Sequence, residues 1–412
     1  MSFQTGLSGL NSASKDLDVI GNNVANSSVV GFKASDAQFA DVFANSLSGG
    51  ASSTQVGIGS KVAAVAQQFN QGNITSTSNP LDVAINGKGF FRLDNNGVVN
   101  YSRNGQFHFD PLGFIVNDNN LKLTGYGIDV NGNIVPTSPS AIQISFADVA
   151  PKDTTEFTAG LNLDSRETPP ATALFNANDP TSYNQSTSGT VFDTLGNSHV
   201  LSTYYVKTAT ANQWQVYGTI DGSLANANIG AGAGLPITIN FNTGGALTTG
   251  MPMNASVVVA TGAVTPLTFT LDYTGTTQFG SAFGVNDLTQ DGFTSGRLSG
   301  LTVANNGIIV GNYTNGQTRN LGQVVTADFR NPQGLAPLGN NLWQETANSG
   351  LPIVGAPTTG SLGSLQSSAV EDSNVDLTAE LVNMITAQRD YQANAQTIKT
   401  QDAVLQTLVN LR

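Results

Sequence analysis

Apolar side chains recur at heptad spacing at both ends of the chain, and this pattern predicts one amphipathic helix at each end. An isolated amphipathic helix is only marginally stable in water, so each apolar stripe needs a partner that covers it. We expect the two helices to pair with each other and with the helices of other copies. The residues expected to make these axial contacts are Phe3, Leu7, Leu10, Leu17, Val24, Leu377, Leu381, Met384, Tyr391, Ile398, Leu405 and Val409.

Both stripes are interrupted by small or polar residues, namely Ser14 and Gly21 at the front and Gln388 and Asp402 at the back. A single pair with such seams should be weak, which favours a crowded assembly in which the ends become ordered only on polymerisation. The alternative is that both helices simply pack on the body of the protein. A helix over 376–412 would be about 55 Å long, which overhangs a small domain and argues against that alternative.

The middle of the chain has the pattern of an all-β protein, in which Asn-Gly recurs between runs of Val, Ile, Phe, Thr and Tyr. Asn-Gly favours tight hairpins because both residues accept positive φ angles. One hairpin is predicted from 89–93 and 98–101, and a second from 105–109 and 114–116. The dipeptide begins at positions 86, 96, 104, 131, 306 and 315.

Between about 147 and 285 the composition of the predicted strands changes and becomes rich in Thr, Ala and Gly. Strands are predicted there at 199–206, 213–220, 257–260 and 267–273. The predicted fold class is therefore mainly β with terminal α-helices. The helices pair in a coiled-coil-like axial domain, followed outward by two β domains, the second inserted in the first. The expected domains are an axial helical domain (1–30 and 370–412), connecting segments (31–70 and 355–369), a first β domain (71–146 and 286–354) and an inserted second β domain (147–285).

Two Ser- and Gly-rich stretches within the connecting segments, 46–60 and 358–368, are expected to be flexible tethers. All 15 prolines lie between Pro80 and Pro357, which suits helices and linkers at the ends.

Composition excludes several classes of protein. The 412 residues include no cysteine, so disulfides and thiolate sites are absent. The chain has 28 acidic against 16 basic residues and no basic patch, which argues against nucleic acid or an anionic membrane as a partner. The first thirty residues contain one base, Lys15, and no continuous apolar run, so we expect neither a cleaved signal peptide nor a membrane span.

No catalytic or ligand-binding constellation stands out. The histidines, His108 and His199, both lie in alternating strand patterns and are expected to be structural. The segment 129–133 resembles a calcium loop only faintly, because its glycine is misplaced and no glutamate follows at the twelfth position. Gly87-Lys88-Gly89 lacks P-loop spacing, so its glycines are expected to relieve a turn. We predict no enzyme activity, no metal site and no cofactor.

A binding function is the second hypothesis, in which the inserted β domain is an adhesin-like module. Its only support is an aromatic group made of Trp214, Tyr204, Tyr205 and Tyr217. These side chains are expected to belong to the core instead.

Particular motifs resemble those of the bacterial flagellar axial proteins, the family of rod and hook subunits. The C-terminal match includes Ser373-Asn374-Val375-Asp376-Leu377, Ala387-Gln388-Arg389 and Tyr391-Gln392-Ala393-Asn394. The N-terminal match includes Ile20-Gly21-Asn22-Asn23-Val24-Ala25-Asn26, and the entry to the β region runs from Asn79 to Phe91. These motifs cover about half of the chain. The motif residues singled out are Asn26, Gly31, Phe32, Lys33, Asn79, Pro80, Leu81, Gly87, Gly89 and Phe90.

The resemblance implies a structural subunit, and the inserted domain favours a hook subunit over the shorter rod subunits. A rod or junction subunit stays the close alternative. It implies a homopolymer forming a short curved tube that transmits torque while bending. The implied partners are the hook cap, the distal rod, the hook–filament junction proteins, the hook-length control protein and the flagellar type III export apparatus. The implied location is the extracellular part of the flagellum.

Overall fold

A computed structural model describes residues 2–42, 57, 59–130 and 132–410. The chain forms two compact units: Met1–Phe146 with Gly300–Asn312 and Thr318–Arg412, and Ala147–Ser299 with Tyr313–Gln317. Strands are the most abundant secondary structure among the described residues, and the helices at the two ends of the chain pack together, which confirms the predicted fold class.

The terminal helices are α1, Ser2–Ala25, and α2, Leu377–Asn410. The carboxylate of Asp376 caps α2, because it accepts hydrogen bonds from the backbone N–H groups of Thr378 at 2.9 Å and Ala379 at 3.1 Å. With 34 residues, α2 is about 51 Å long. No helix in the described part of the chain is both long and apolar enough to cross a membrane.

After α1, the first unit continues with the β1–β2 hairpin, which contacts α1, and then with a 13-stranded sheet. The strands of its first part are β1 Ser35–Val42, β2 Gly59–Gln67, β3 Ile74–Ser76, β4 Val83–Asn86, β5 Phe90–Asn95, β6 Val98–Ser102, β7 His108–Phe109, β8 Ile115–Val116, β9 Lys122–Ile128 and β10 Ile134–Ala141.

Both predicted hairpins are confirmed. Strands β5 and β6 pair antiparallel from Phe91 with Ser102 to Asn95 with Val98, and the turn places Asn96 at φ +51° and Gly97 at φ +96°. Strands β7 and β8 form the second hairpin.

The second unit contains two sheets that enclose one apolar core. Its sheets have the orders β15-β17-β18-β11-β19 and β12-β13-β14-β16. The predicted strand at 257–260 is wrong in position, because the strand ends at Val257. The strands are β11 Glu156–Asn162, β12 Gln185–Phe192, β13 Ser198–Lys207, β14 Gln213–Ile220, β15 Ala227–Asn228, β16 Ile237–Asn240, β17 Met253–Val257, β18 Leu267–Asp272 and β19 Gly284–Gln290.

The remaining strands lie wholly or mainly in the first unit, whose large sheet has a main path in the order β20-β21-β22-β9-β5-β6-β25-β24, whereas β27 pairs with β4 and β28 with β3 in separate two-stranded sheets. Its aromatic core includes Phe90, Tyr101, Phe329 and Trp343. The strands are β20 Leu298–Val303, β21 Ile308–Tyr313, β22 Thr318–Val324, β23 Thr326–Asp328, β24 Ala336–Gly339, β25 Leu342–Gln344, β26 Ile353–Gly355, β27 Ser364–Ser367 and β28 Ala369–Glu371.

The connecting segments correct one expectation. The stretch 358–368 is not a free tether, because β27 pairs with β4 and buries Leu365, while Leu362 is buried beside it. Strand β28 continues the chain by pairing with β3, and the other connecting segment contains the β1–β2 hairpin. The second proposed tether, 46–60, lies mostly outside the described residues.

Candidate functional site

The contact between α1 and α2 is formed by small residues of α1. Gly6, Ala13 and Ile20 are buried, and an added Cβ on Gly6 would lie 3.1 Å from Ile398. An added Cβ on Gly9 would lie only 2.5 Å from the side chain of Asn394. The spacings of three and four residues place Gly6, Gly9 and Ala13 on one helix face, which lets the two backbones approach closely there, and the larger Ile20 lies on the same face seven residues after Ala13.

The predicted contact stripe lies on a different face of α1 from this interface. The interface positions are shifted by one residue from the predicted heptad, and one residue rotates an α-helix by about 100°. Phe3 and Leu7 are 47% and 44% exposed, while Leu10, Leu17 and Val24 are half-buried. The missed signal was the repeat of small residues at 6, 9 and 13.

The predicted stripe of α2 also faces solvent along much of its length. Leu377, Leu381 and Leu405 are 45%, 46% and 56% exposed, and Tyr391 is exposed as well. Met384 and Ile398 are half-buried, and Ile398 is the member that the structure brings against α1. The side chain of Val409 lies outside the described residues. Six members of the two stripes are therefore exposed in the single chain, and the contacts of the stripes with other copies stay a prediction.

Asn23 joins three elements at the far end of the helix pair. Its side-chain amide donates to the backbone oxygen of Ser35 at 2.8 Å and to Oε1 of Glu380 at 3.2 Å, and its Oδ1 accepts from the N–H of Ser35 at 2.9 Å. The β1–β2 hairpin also contacts α1 through the hydroxyls of Ser12 and Ser60, 3.0 Å apart. One buried amide thus holds α1, β1 and α2 together.

A buried ionic cluster, which we call the anchor triad, consists of Lys33, Arg103 and Glu371. Lys33 Nζ lies 2.6 Å from Glu371 Oε1, and both side chains are 0% exposed. Arg103 Nη1 lies 3.1 Å from Glu371 Oε2. The triad links the segment after α1, the first sheet and the segment before α2.

Backbone groups also form hydrogen bonds with the anchor triad. Lys33 donates to the carbonyl of Asn70 at 2.7 Å, and Gly72 N–H donates to Glu371 Oε1 at 2.8 Å. Burial lowers the pKa of Lys33 and of Arg103, and in both cases the neighbouring Glu371 carboxylate opposes the shift. Each charge has an oppositely charged partner, although Nε of Arg103 is buried without a hydrogen-bond partner.

The family motif residues near the N-terminus surround this triad. Gly31 has φ +71°, and an added Cβ would lie 2.6 Å from the backbone nitrogen of Asn104. Its N–H donates to the backbone oxygen of Glu371 at 2.7 Å. Phe32 is half-buried beside Lys33, and the Asn26 side chain donates to the carbonyl of Asn22 at 2.8 Å, which closes the end of α1.

The second group of motif residues shapes the entry to the sheet. Asn79 accepts from the N–H of Leu81 at 3.2 Å, and the carbonyl of Pro80 accepts from Ser367. The remaining members are Gly87 at φ +108°, Gly89 at φ +126° and the buried Phe90. The Gly87-Lys88-Gly89 segment directly precedes strand β5, and the positive φ angles of both glycines agree with the expected turn.

The residues weighed for chemistry occupy separate places. The His108 ring lies 3.8 Å from Asp118 and is half-exposed. His199 is buried, with its Nδ1 2.7 Å from Asp221 and its Nε2 3.3 Å from Asp193. Burial lowers the pKa of His199, but the hydrogen bonds to these carboxylates outweigh burial and raise it. Within the described residues, no group of three or more His, Cys, Asp or Glu side chains could hold a metal ion.

The four aromatic residues of the binding hypothesis fall into two groups. Trp214 and Tyr205 are fully buried in the core of the second unit. Tyr204 and Tyr217 are half-buried and contact Phe175, whose ring stacks on Tyr217 at a centroid distance of 4.1 Å. The core interpretation is therefore confirmed for Trp214 and Tyr205.

Comparison with known families adds an independent finding. Four family models match consecutive parts of the chain: Flagella basal body rod protein (3–33), Flagellar hook protein FlgE/F/G D1 domain (84–159), Flagellar basal body protein FlaE D2 domain (162–293) and Flagellar basal body rod FlgEFG protein C-terminal (366–411).

Known proteins resemble the chain over its full length. The flagellar hook protein FlgE of Escherichia coli K12 is 46% identical, and the alignment covers 100% of both chains. FlgE of Salmonella typhimurium LT2 is 44% identical with the same coverage. FlgE of Borreliella burgdorferi is 33% identical over 100% of this chain and 99% of the relative. The crystal structure of Helicobacter pylori FlgE2 shares the fold, with a TM-score of 0.50 and 14% identity over 72% of this chain and 100% of that chain.

Proposed function

This chain belongs to the flagellar hook protein family and is a structural subunit of the flagellar hook, and we propose that it polymerises through the exposed stripes of its terminal helices. The full-length match includes the inserted domain and therefore favours the hook subunit over the rod subunit that sequence reasoning left open. In the proposed polymer, the helices form an axial tube and the β units lie outside it.

The exposed stripes are the observation that carries this proposal. Phe3 and Leu7 on α1 and Leu377 and Leu381 on α2 remain exposed after the helices have paired. Burial of these apolar side chains against a helix of another copy would make the free energy of association favourable. Because the intrachain contact uses another face, one helix pair is free to contact the pairs of neighbouring copies.

The anchor triad supports a mechanical role for the same subunit. Lys33 follows α1 and Glu371 precedes α2 in the chain, and the Glu371 carboxylate is bound to both Lys33 and Arg103, which follows β6 of the first sheet. Force applied to the helices therefore reaches the sheet through this buried ionic cluster. In the proposed curved tube, the helices carry torque while the weakly charged outer surfaces slide past one another.

Membership of the family supports a proposal for the wider assembly. The chain is a flagellar protein, and we propose that it forms a homopolymer between the distal rod and the hook–filament junction proteins. We propose further that it is exported without a cleaved signal peptide by the flagellar type III apparatus and assembles outside the cell under the hook cap, with its length set by the hook-length control protein.

A matched pair of substitutions tests the proposed contact. Leu381→Glu places a charge on the exposed stripe, whereas Thr400→Glu places the same charge on an exposed part of α2 outside it. We expect Leu381→Glu to leave a folded monomer that forms no tubes, and Thr400→Glu to polymerise like the native chain. Sedimentation and negative-stain microscopy measure both. Tubes of normal yield from Leu381→Glu would refute the proposed contact.

A further inference from the structure

A groove of about 310 Å³ lies between α1, β1 and α2, and carboxylates from all three elements line it. Asp16 comes from α1, Asp36 from β1, and Glu380 and Asp390 from α2. Lys, Arg and His are absent from the described residues that line the groove. The walls therefore bring like charges together where the two terminal helices meet.

Two nearby bases are engaged elsewhere. Lys15, next to Asp16 in the sequence, points to Asp18 with an Nζ–Oδ2 distance of 3.0 Å, and Lys33 belongs to the anchor triad. Within the groove, Glu380 accepts one hydrogen bond from Asn23, which compensates part of its charge. The remaining repulsion opposes the approach of α2 to α1 and β1.

We propose that this acidic groove weakens the pairing of the terminal helices at neutral pH, and that neutralising its carboxylates strengthens the pairing. Repulsion between these carboxylates thus keeps the helix pair of a free subunit less stable than its packing alone would make it. The proposal concerns the pairing within one chain. It rests on the proposed polymer only for the second of the measurements below.

The electrostatics of the groove give the sign of the pH dependence. Burial raises the pKa of Asp16, and the charges of Asp36 and Asp390 raise it further. Burial likewise raises the pKa of Glu380, against the hydrogen bond from Asn23 and together with the charges of Asp16, Asp36 and Asp376. An acid whose folded-state pKa is raised binds more protons in the folded state, so the pairing becomes more stable as the pH falls from neutral through that pKa.

Hydrogen exchange of α1 and α2 in the full-length monomer measures the pairing directly. The test variant carries Asp16→Asn with Glu380→Gln, and the matched control carries Asp18→Asn with Asp402→Asn, which changes one carboxylate outside the groove on each helix. We expect the test variant at pH 7.5 to raise the protection of helix amides at least about threefold, after correction for intrinsic exchange rates. The protection of the native chain should rise towards that of the test variant as the pH is lowered.

A second variant, Asp36→Asn with Asp390→Asn, must shift the protection in the same direction, and the strands β5 and β6 report whether each variant is folded. The proposal would be overturned if the helix amides of the native chain and of both groove variants had equal protection. It would also be overturned if protection in the control variant rose as much as in the groove variants. Sedimentation then tests assembly: the groove variants should polymerise at a lower concentration than the native chain. Failure of every chain to polymerise would refute the proposed function but leave the exchange result to decide the groove.

Discussion

Removing a single charge from the anchor triad tests how strongly the two ends of the chain are fixed to the sheet. Glu371→Gln leaves Lys33 and Arg103 as two buried cations without a carboxylate, although both side chains are nearly or fully inaccessible to water. Breaking a buried ion pair costs about 3–5 kcal/mol. Because two cations lose their partner at once, we expect a loss at the upper end, about 5 kcal/mol of unfolding free energy.

Lys33→Met is the informative comparison. It removes one ammonium but leaves Glu371 bound to Arg103 at 3.1 Å and to Gly72 N–H at 2.8 Å. The remaining carboxylate is still paired, so we expect a smaller loss of about 3 kcal/mol. The triple variant Lys33→Met, Arg103→Met and Glu371→Leu replaces all the charges by apolar groups and should come within about 1 kcal/mol of the native chain.

Urea unfolding followed by tryptophan fluorescence measures these differences without adding salt, which would screen charges. The chain has two tryptophans, and replacing Trp214 by Phe leaves Trp343 as the reporter of the first unit. The expected order of stability is the native and triple variants first, then Lys33→Met, then Glu371→Gln. If Glu371→Gln costs less than Lys33→Met, the argument from two unpaired cations is refuted.

Three further predictions follow from local contacts. Gly9→Val should separate α1 from α2 and lower the helix signal in circular dichroism, whereas Gly21→Val, whose added Cβ meets nothing within 4 Å, should keep it; equal loss in both would contradict the close-packing argument. The pKa of His199 is raised in the folded state, so its contribution to the free energy of unfolding is complete below pH 6.5 and is lost as the pH rises through the folded-state pKa. His199→Gln should therefore make the urea-measured stability of the second unit less dependent on pH over that range. A pH dependence equal to that of the native chain would contradict this prediction. Asp376→Ala should lower stability by about 1 kcal/mol through loss of the α2 cap, and Asp376→Asn should restore most of it.

The amphipathic pattern identified both helices but not the face on which they meet. Apolar periodicity marks a stripe that water disfavours, whereas the face that pairs within the chain is the one that allows the closest approach. On α1, that face carries Gly6, Gly9 and Ala13, which contribute little to an apolar pattern. The stripe and the intrachain contact therefore differ by one residue and about 100°.

The sequence by itself determined the elements that depend on neighbouring residues: the two helices, the Asn-Gly hairpin β5–β6, the β character of the insert, and the burial of Trp214 and Tyr205. Local periodicity and turn chemistry are sufficient for these because their causes lie within a few residues.

Only the tertiary structure decided the contacts that join distant segments. It turned a Ser- and Gly-rich stretch into β27, because Leu365 becomes buried when it pairs with Ile85 of β4. It also brought Lys33, Arg103 and Glu371 into one ionic cluster. The partner of a charged residue or of a short apolar run cannot be identified from the local sequence. Partners hundreds of residues apart depend on the packing of the whole unit.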